Sequence, residues 1–178
     1  MNIIITQRQT TINNIVYDCL DPHWHRFLEQ HNIIPMPNII NVDFDADLLI
    51  LSGGNDTADR LATEQNCYDI AVSKNIPIIG ICRGAFMLNQ LYNGANRALS
   101  GHRNVEHTIE MEGQTFTVNS YHDMGIYLIG DDVEVIAESS DGIEAFKHTI
   151  LPHWGIVWHP ERMLDPVLPK ELKELLNG

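Results

Sequence analysis

The chain has 178 residues and a formal net charge of −13, from 11 Lys and Arg against 24 Asp and Glu. That length suits one domain, spanning 1–178, with a proper core, and the negative balance argues against nucleic-acid or anionic-membrane partners. Three cysteines at unrelated spacings make no disulfide framework and no apolar run is of membrane-spanning length, so a cytoplasmic, reducing setting is expected.

Residues 2–6 read as a first strand rather than as part of a signal peptide. Residues 7–20 are polar and read as irregular. Asp21-Pro22 then opens a helix, with Asp as the cap and Pro in the first turn, and Trp24, Phe27, Leu28 and His31 share one face. Trp24 reads as core. Residues 33–36 form a short strand before a loop at Pro37. Residues 47–51 are a buried strand that ends in Ser52-Gly53-Gly54-Asn55-Asp56, and 57–75 are helical, with Leu61, Ile70 and Ala71 as apolar contacts.

Residues 76–84, Ile-Pro-Ile-Ile-Gly-Ile-Cys-Arg-Gly, are the most informative stretch. The apolar run is short and β-branched, which reads as a buried strand. A helical pattern follows at once and stops at Gly94. Cys82 thus sits on a sharp strand-to-helix turn, flanked by Gly80 and Gly84, whose missing Cβ atoms leave room for strained geometry. The helix N-terminus favours thiolate over thiol. Cys19 and Cys67 lack this frame and read as structural.

The second half changes character. Residues 105–111 and 114–118 read as a hairpin about Glu112-Gly113, 133–138 and 143–147 as further strands, 154–158 as a last strand and 169–176 as a final helix. Strands alternating with helices imply a mostly parallel sheet covered on both faces, with antiparallel strands added in the second half.

A thiol nucleophile needs a base and an orienter for that base. His159, in Ile-Val-Trp-His-Pro-Glu, follows an apolar strand directly, and Glu161 stands two residues on. Catalytic residues of open α/β sheets gather at such strand ends. The Ser52-Gly53-Gly54 turn and the N–H of Arg83 can supply oxyanion donors. His23 and His25 would point in different directions on a helix and nothing completes a cluster, so no metal and no cofactor are expected.

Gly-Ile-Cys-Arg-Gly, His-Pro-Glu and the Ser-Gly-Gly strand end, in this order, resemble the class I glutamine amidotransferase superfamily over nearly the whole chain. The resemblance implies a flavodoxin-like three-layer α/β sandwich and a Cys82-His159-Glu161 triad, with Gly53 and Arg83 giving the oxyanion N–H groups. It implies attack on a γ-glutamyl amide to give a glutamyl thioester that water hydrolyses. The Cys-Arg-Gly form is similar to the γ-glutamyl hydrolase branch. Asn119-Ser120-Tyr121-His122 resembles that branch's loop near the glutamyl group, which marks Ser120, Tyr121, His122 and Gly54 as substrate-binding candidates.

The opening Ile-Thr-Gln-Arg and the stretch Tyr-Asp-Cys-Leu-Asp-Pro-His-Trp resemble a narrower group of small hydrolases of bacterial capsule modification. Their suggested substrate is γ-glutamyl-CDP-amidate, cleaved to glutamate and cytidine diphosphoramidate. One departure stands out: many amidotransferases carry Gln where this chain has Phe86, which either alters the substrate or is a packing change. Arg8, just after the first strand, is either a ligand for an anionic leaving group or a solvated surface arginine.

The leading expectation is a stand-alone hydrolase of a small γ-glutamyl substrate, nucleotide-linked in the narrower reading, with homodimerisation compatible. The second is a glutaminase subunit that passes ammonia to a partner synthase. The third is a non-enzymatic binding module, against which the intact triad argues.

Overall fold

The computed structural model describes residues 1–39 and 42–178. Part of the loop expected after Pro37, residues 40 and 41, lies outside the described residues. In chain order the elements are β1 (Asn2–Thr6), β2 (Arg8–Ile12), β3 (Ile15–Cys19), α1 (His23–Phe27), β4 (Asn32–Met36), β5 (Leu48–Leu51), α2 (Ala58–Ser73), β6 (Ile78–Ile81) and α3 (Arg83–Leu91). They continue with β7 (Ala95–Ala98), β8 (Arg103–Met111), β9 (Gln114–Tyr121), β10 (Met124–Leu128), β11 (Val133–Ser139), β12 (Gly142–His148), β13 (His153–Ile156), a 3-10 turn (Pro160–Arg162) and α4 (Lys170–Asn177).

One sheet runs in the order β4-β1-β5-β6-β13-β12-β11-β8-β9, with β10 and β7 attached beside β12. The first five strands are parallel and the rest antiparallel. Numbered among themselves, the parallel strands run 2-1-3-4-5, the doubly wound order of flavodoxin-like folds. Every residue of β5 and β6 is buried, so both faces of the sheet are covered there.

The register explains where the site lies. Leu51 pairs with Gly80, and Ile156 with Ile81. The chain leaving β5, β6 and β13 therefore emerges at one edge, which brings Ser52-Gly53, Cys82 and His159 together.

Several elements depart from expectation. Residues 8–19 are not irregular but a two-stranded hairpin, β2 with β3, turned by Asn13 and Asn14 at φ 51° and 63°. Asparagine tolerates that left-handed backbone, and two such residues suit a tight hairpin turn. The first helix stops at Phe27, four residues early, because Leu28 leaves helical geometry at ψ 33°. Pro22 rather than Asp21 occupies the capping position, although the Asp21 carboxylate still accepts the His23 N–H at 3.1 Å. Leu61 is 45 % exposed rather than packed, whereas Trp24 is core. β7 and β10 carry no alternation that marks them in the sequence. The last strand ends at Ile156, two residues short, although Val157 and Trp158 remain buried.

Candidate active site

Cys82 sits between β6 and α3 with φ 52° and ψ −106°, a backbone conformation that costs a non-glycine residue about 1–3 kcal/mol. Its N–H is tied to the Ile156 carbonyl at 2.7 Å, which helps to hold the strained turn. The flanking glycines allow the close approach. A Cβ on Gly84 would lie 2.0 Å from the Leu51 carbonyl oxygen, and one on Gly80 would lie 2.6 Å from the Gly84 backbone. Arg83 is the first residue of α3, so its N–H is one of the first-turn donors that have no intrahelical partner.

His159 stands beside Cys82, both within 3.4 Å of a Cβ placed on Gly53 and both lining one lobe of the cleft, and its Nδ1 lies 2.6 Å from Glu161 Oε1. The intervening Pro160 opens the 3-10 turn that swings the carboxylate back onto the ring. Burial disfavours the imidazolium, but Cys82 and Glu161 outweigh it and push the His159 pKa up to about 9. The arrangement can therefore hold a sulfur nucleophile beside a protonated imidazole. Cys67 is the contrast: burial pushes its thiol up to about 12, which keeps it inert.

Asn119, which the sequence placed in the Asn119-Ser120-Tyr121-His122 segment without a role, holds the His159 backbone. Its side-chain amide donates to the His159 carbonyl and accepts from the His159 N–H, both at 2.8 Å. A lone Asn on a strand carries no sign of such a double clamp.

Gly53 lies against both reacting groups. A Cβ there would stand 2.6 Å from His159 Cε1 and 3.4 Å from Cys82 Cβ. Carbon atoms rest at about 3.5–4.0 Å, so the ring would have to move by roughly 1 Å. Gly53→Ala is expected to lower kcat by about 100-fold. The thermal midpoint should hardly change, because the Gly53 backbone is ordinary and the obstacle is a ring that can turn. Steady-state kinetics beside a melting curve check both parts.

The Ser52–Gly53 turn is held from behind by Arg60, which is fully buried and donates to the Ser52 carbonyl at 2.7 Å, the Gly53 carbonyl at 3.2 Å and the Asn55 carbonyl at 3.0 Å. Glu64 neutralises Arg60 at 3.1 Å and also pairs with the Arg83 guanidinium, which bonds Asp56 as well. The Arg83 side chain thus braces the site, while its N–H faces the sulfur's end of the helix.

Two lobes of one cleft meet at Cys82. The larger, about 560 Å³, is lined by Gly54, Phe86, Met87, His122 and Met124 among others. The smaller, about 290 Å³, is lined by Arg8, Arg103, Arg162, Tyr121 and His159. Gly54, Tyr121, His122 and Arg8 therefore all border the cleft, and Phe86 faces it rather than the core alone. Arg162 also stacks over the Tyr121 ring at 4.7 Å, and Tyr121 meets the His159 ring edge-on at 5.5 Å.

Ser120 does not join them. It is fully buried, borders neither lobe, and donates to the His102 carbonyl at 2.5 Å. Successive strand residues point to opposite faces, so Tyr121 toward the cleft puts Ser120 away from it. Arg103 and Arg162 were missed because each stands alone in sequence; only the fold brings them beside Arg8.

The fold and site place the chain among amide hydrolases built on a doubly wound sheet. The family model for Glutamine amidotransferase class-I matches residues 24–176, and the chain belongs to that family. It is 33% identical to the gamma-glutamyl-CDP-amidate hydrolase of Campylobacter jejuni subsp. jejuni serotype O:2, with 91% of this chain and 90% of that one covered. It is 30% identical to the glutamine-hydrolyzing GMP synthase subunit of Methanococcus vannielii over 64% of this chain and 63% of that one. Among solved structures, a glutamine amidotransferase from Thermotoga maritima shares the fold with a TM-score of 0.68 at 13% identity, covering 90% of this chain and 76% of that one. No helix among the described residues is long and apolar enough to cross a membrane.

Proposed function

We propose that the chain hydrolyses a nucleotide-linked γ-glutamyl amide, γ-glutamyl-CDP-amidate, to glutamate and cytidine diphosphoramidate. The observation that carries this reading is the set of three arginines, Arg8, Arg103 and Arg162, around one lobe beside Cys82, in a chain of net charge −13. Such local charge against the global balance suits a polyanionic leaving group, since arginine forks match phosphoryl oxygens. Arg103 is offset by Asp123 at 2.9 Å, and Arg162 by Asp21 at 3.2 Å. Phe86 in the other lobe, in place of an amide, fits a substrate other than free glutamine. The likeness to the Campylobacter hydrolase over 91% of the chain supports the same assignment.

In this mechanism the Cys82 thiolate attacks the γ-carbonyl carbon, and the N–H groups of Gly53 and Arg83 hold the oxyanion. The C–N bond breaks as His159 gives its proton to the leaving nitrogen, which leaves a glutamyl thioester. Neutral His159 then takes a proton from water. The hydroxide attacks the thioester, the C–S bond breaks, and glutamate departs. Glu161 keeps the imidazole oriented throughout.

Glutamate release from γ-glutamyl-CDP-amidate, glutamine and γ-glutamyl-aminobutyrate tests the assignment. The nucleotide-linked substrate should be strongly preferred. Arg8→Ala should lower its kcat/KM by about tenfold or more, chiefly through KM, and spare the small amides. Equal losses on all three substrates would remove Arg8 from the phosphate role. The similarity to the Methanococcus GMP synthase subunit favours a second reading, a glutaminase serving a synthase. Glutamine turnover that rises only with a partner synthase would select it.

A further inference from the structure

Away from the sulfur, on the antiparallel half of the sheet, lies a cluster that the hydrolysis does not use. His102 precedes β8, His107 lies in β8 and Glu144 in β12, and one ligand-type atom from each falls within 4.8 Å of the others. His102 and Glu144 are more than nine-tenths buried. Their inward atoms have no hydrogen-bond partner: His102 Nδ1, both His107 ring nitrogens and Glu144 Oε2 are all orphaned. Buried polar atoms are almost always paired, so several orphans at one spot call for a common partner.

We propose that His102, His107 and Glu144 bind a divalent transition metal, Zn²⁺ by the character of the donors, and that this ion fastens the wall of the substrate cleft. Two imidazoles with a carboxylate suit Zn²⁺. His107 Nε2 and Glu144 Oε1 stand 3.2 Å apart but are not aligned as a hydrogen bond. Two donors at about 2.0–2.1 Å from a tetrahedral Zn²⁺ lie roughly 3.3 Å apart, which is the separation two ligands of one ion require.

The outer partners fit as well. His102 Nε2 lies 3.2 Å from Asp141, which holds that nitrogen as the N–H and turns the Nδ1 lone pair inward. Glu144 Oε1 accepts from the Ser139 hydroxyl at 3.1 Å. Such carboxylate–histidine and hydroxyl–carboxylate contacts are the supports that orient metal ligands. His122 stands beside the cluster, outside the three residues whose ligand atoms converge. Its ring centroid is 5.1 Å from that of His102, its Nδ1 is taken by the Met124 carbonyl at 2.6 Å, and its Nε2 is orphaned. Because His122 packs against the His102 ring and also borders the larger lobe, an ion that fixes His102 would steady the cleft wall through that contact.

The test uses the full chain without an affinity tag, in a Cys82→Ala background so that the active-site thiol cannot compete. After treatment with chelator it is titrated with Zn²⁺ by calorimetry and with Co²⁺ by visible absorption. One equivalent of Zn²⁺, tetrahedral Co²⁺ bands and a higher thermal midpoint with Zn²⁺ are expected. His107→Ala should abolish binding. Asp141→Asn, a half-exposed residue whose loss should leave the fold intact, should weaken binding by about 10–100-fold. No stoichiometric uptake, or uptake that Asp141→Asn leaves unchanged, would overturn the site.

Discussion

Cys82→Ala and His159→Ala are each expected to lower kcat by about 10⁴-fold or more, and the double variant by no more than the worse of the two. The reason is geometric. The sulfur and the imidazole stand side by side in the cleft, and the mechanism needs both in one proton transfer, so removing either partner leaves the other without a task. A double variant that loses activity by the product of the single losses would show two independent groups and sink the pairing.

The same contact sets the alkaline limit. The folded His159 pKa is raised, to about 9, so its stabilising contribution is complete below the ordinary histidine value of about 6.5 and is lost as pH rises through about 9. The proton that must reach the leaving nitrogen disappears over the same range. The rate of glutamate release should therefore fall above about pH 9, as a property of the Cys82–His159 pair rather than of either group alone. Glu161→Gln removes one of the two attractions that raise the value. It should move the limb toward lower pH, which a kcat/KM profile of parent and variant will show.

What could be read from the sequence shares a physical character. The Cys82 turn was visible because strand, glycines and helix start are all local, and each demands the next. His159 and Glu161 were visible because they stand two residues apart behind an apolar strand. The parallel pairing of β4, β1, β5, β6 and β13 was expected from the alternation of strands with helices, whereas their order in the sheet was not.

What could not be read depends on the fold bringing distant residues together. The β2–β3 hairpin exposes Ile12, Ile15, Val16 and Tyr17, so no inside-outside alternation announced it. Nothing in the sequence singles out Arg60 and Glu64, two charges four apart on a helix, and only the packing of α2 beneath the Ser52 turn buries them. Ser120 shows the converse error. Ser120 and Tyr121 are successive residues of β9, so their side chains point to opposite faces, and it is Tyr121, with His122 just beyond the strand end, that borders the cleft.

Glu64→Ala is expected to destabilise the protein by about 3–5 kcal/mol, because it leaves the fully buried Arg60 guanidinium uncompensated and the nearly buried Arg83 with Asp56 alone. Glu64 is fully buried; it accepts from the Thr6 hydroxyl at 2.7 Å and from Arg60 at 3.1 Å, and it pairs with Arg83 through its other oxygen. At about 2–4 °C per kcal/mol for a chain of this size, the thermal midpoint should fall by roughly 6–20 °C. The loss comes from stranded charge rather than lost attraction, so Arg60→Met with Glu64→Leu should recover part of it. Recovery should be incomplete, since the Ser52, Gly53 and Asn55 carbonyls lose the donor that Arg60 provides. The double variant should also turn over more slowly than the parent at temperatures where both are folded, because the turn that carries Gly53 is no longer held from behind. Calorimetry of the three chains decides the matter: a Glu64→Ala midpoint within about 2 °C of the parent, less than 1 kcal/mol of lost stability, would mean that the buried charges find other partners, and the bracing role of this network would fall with it.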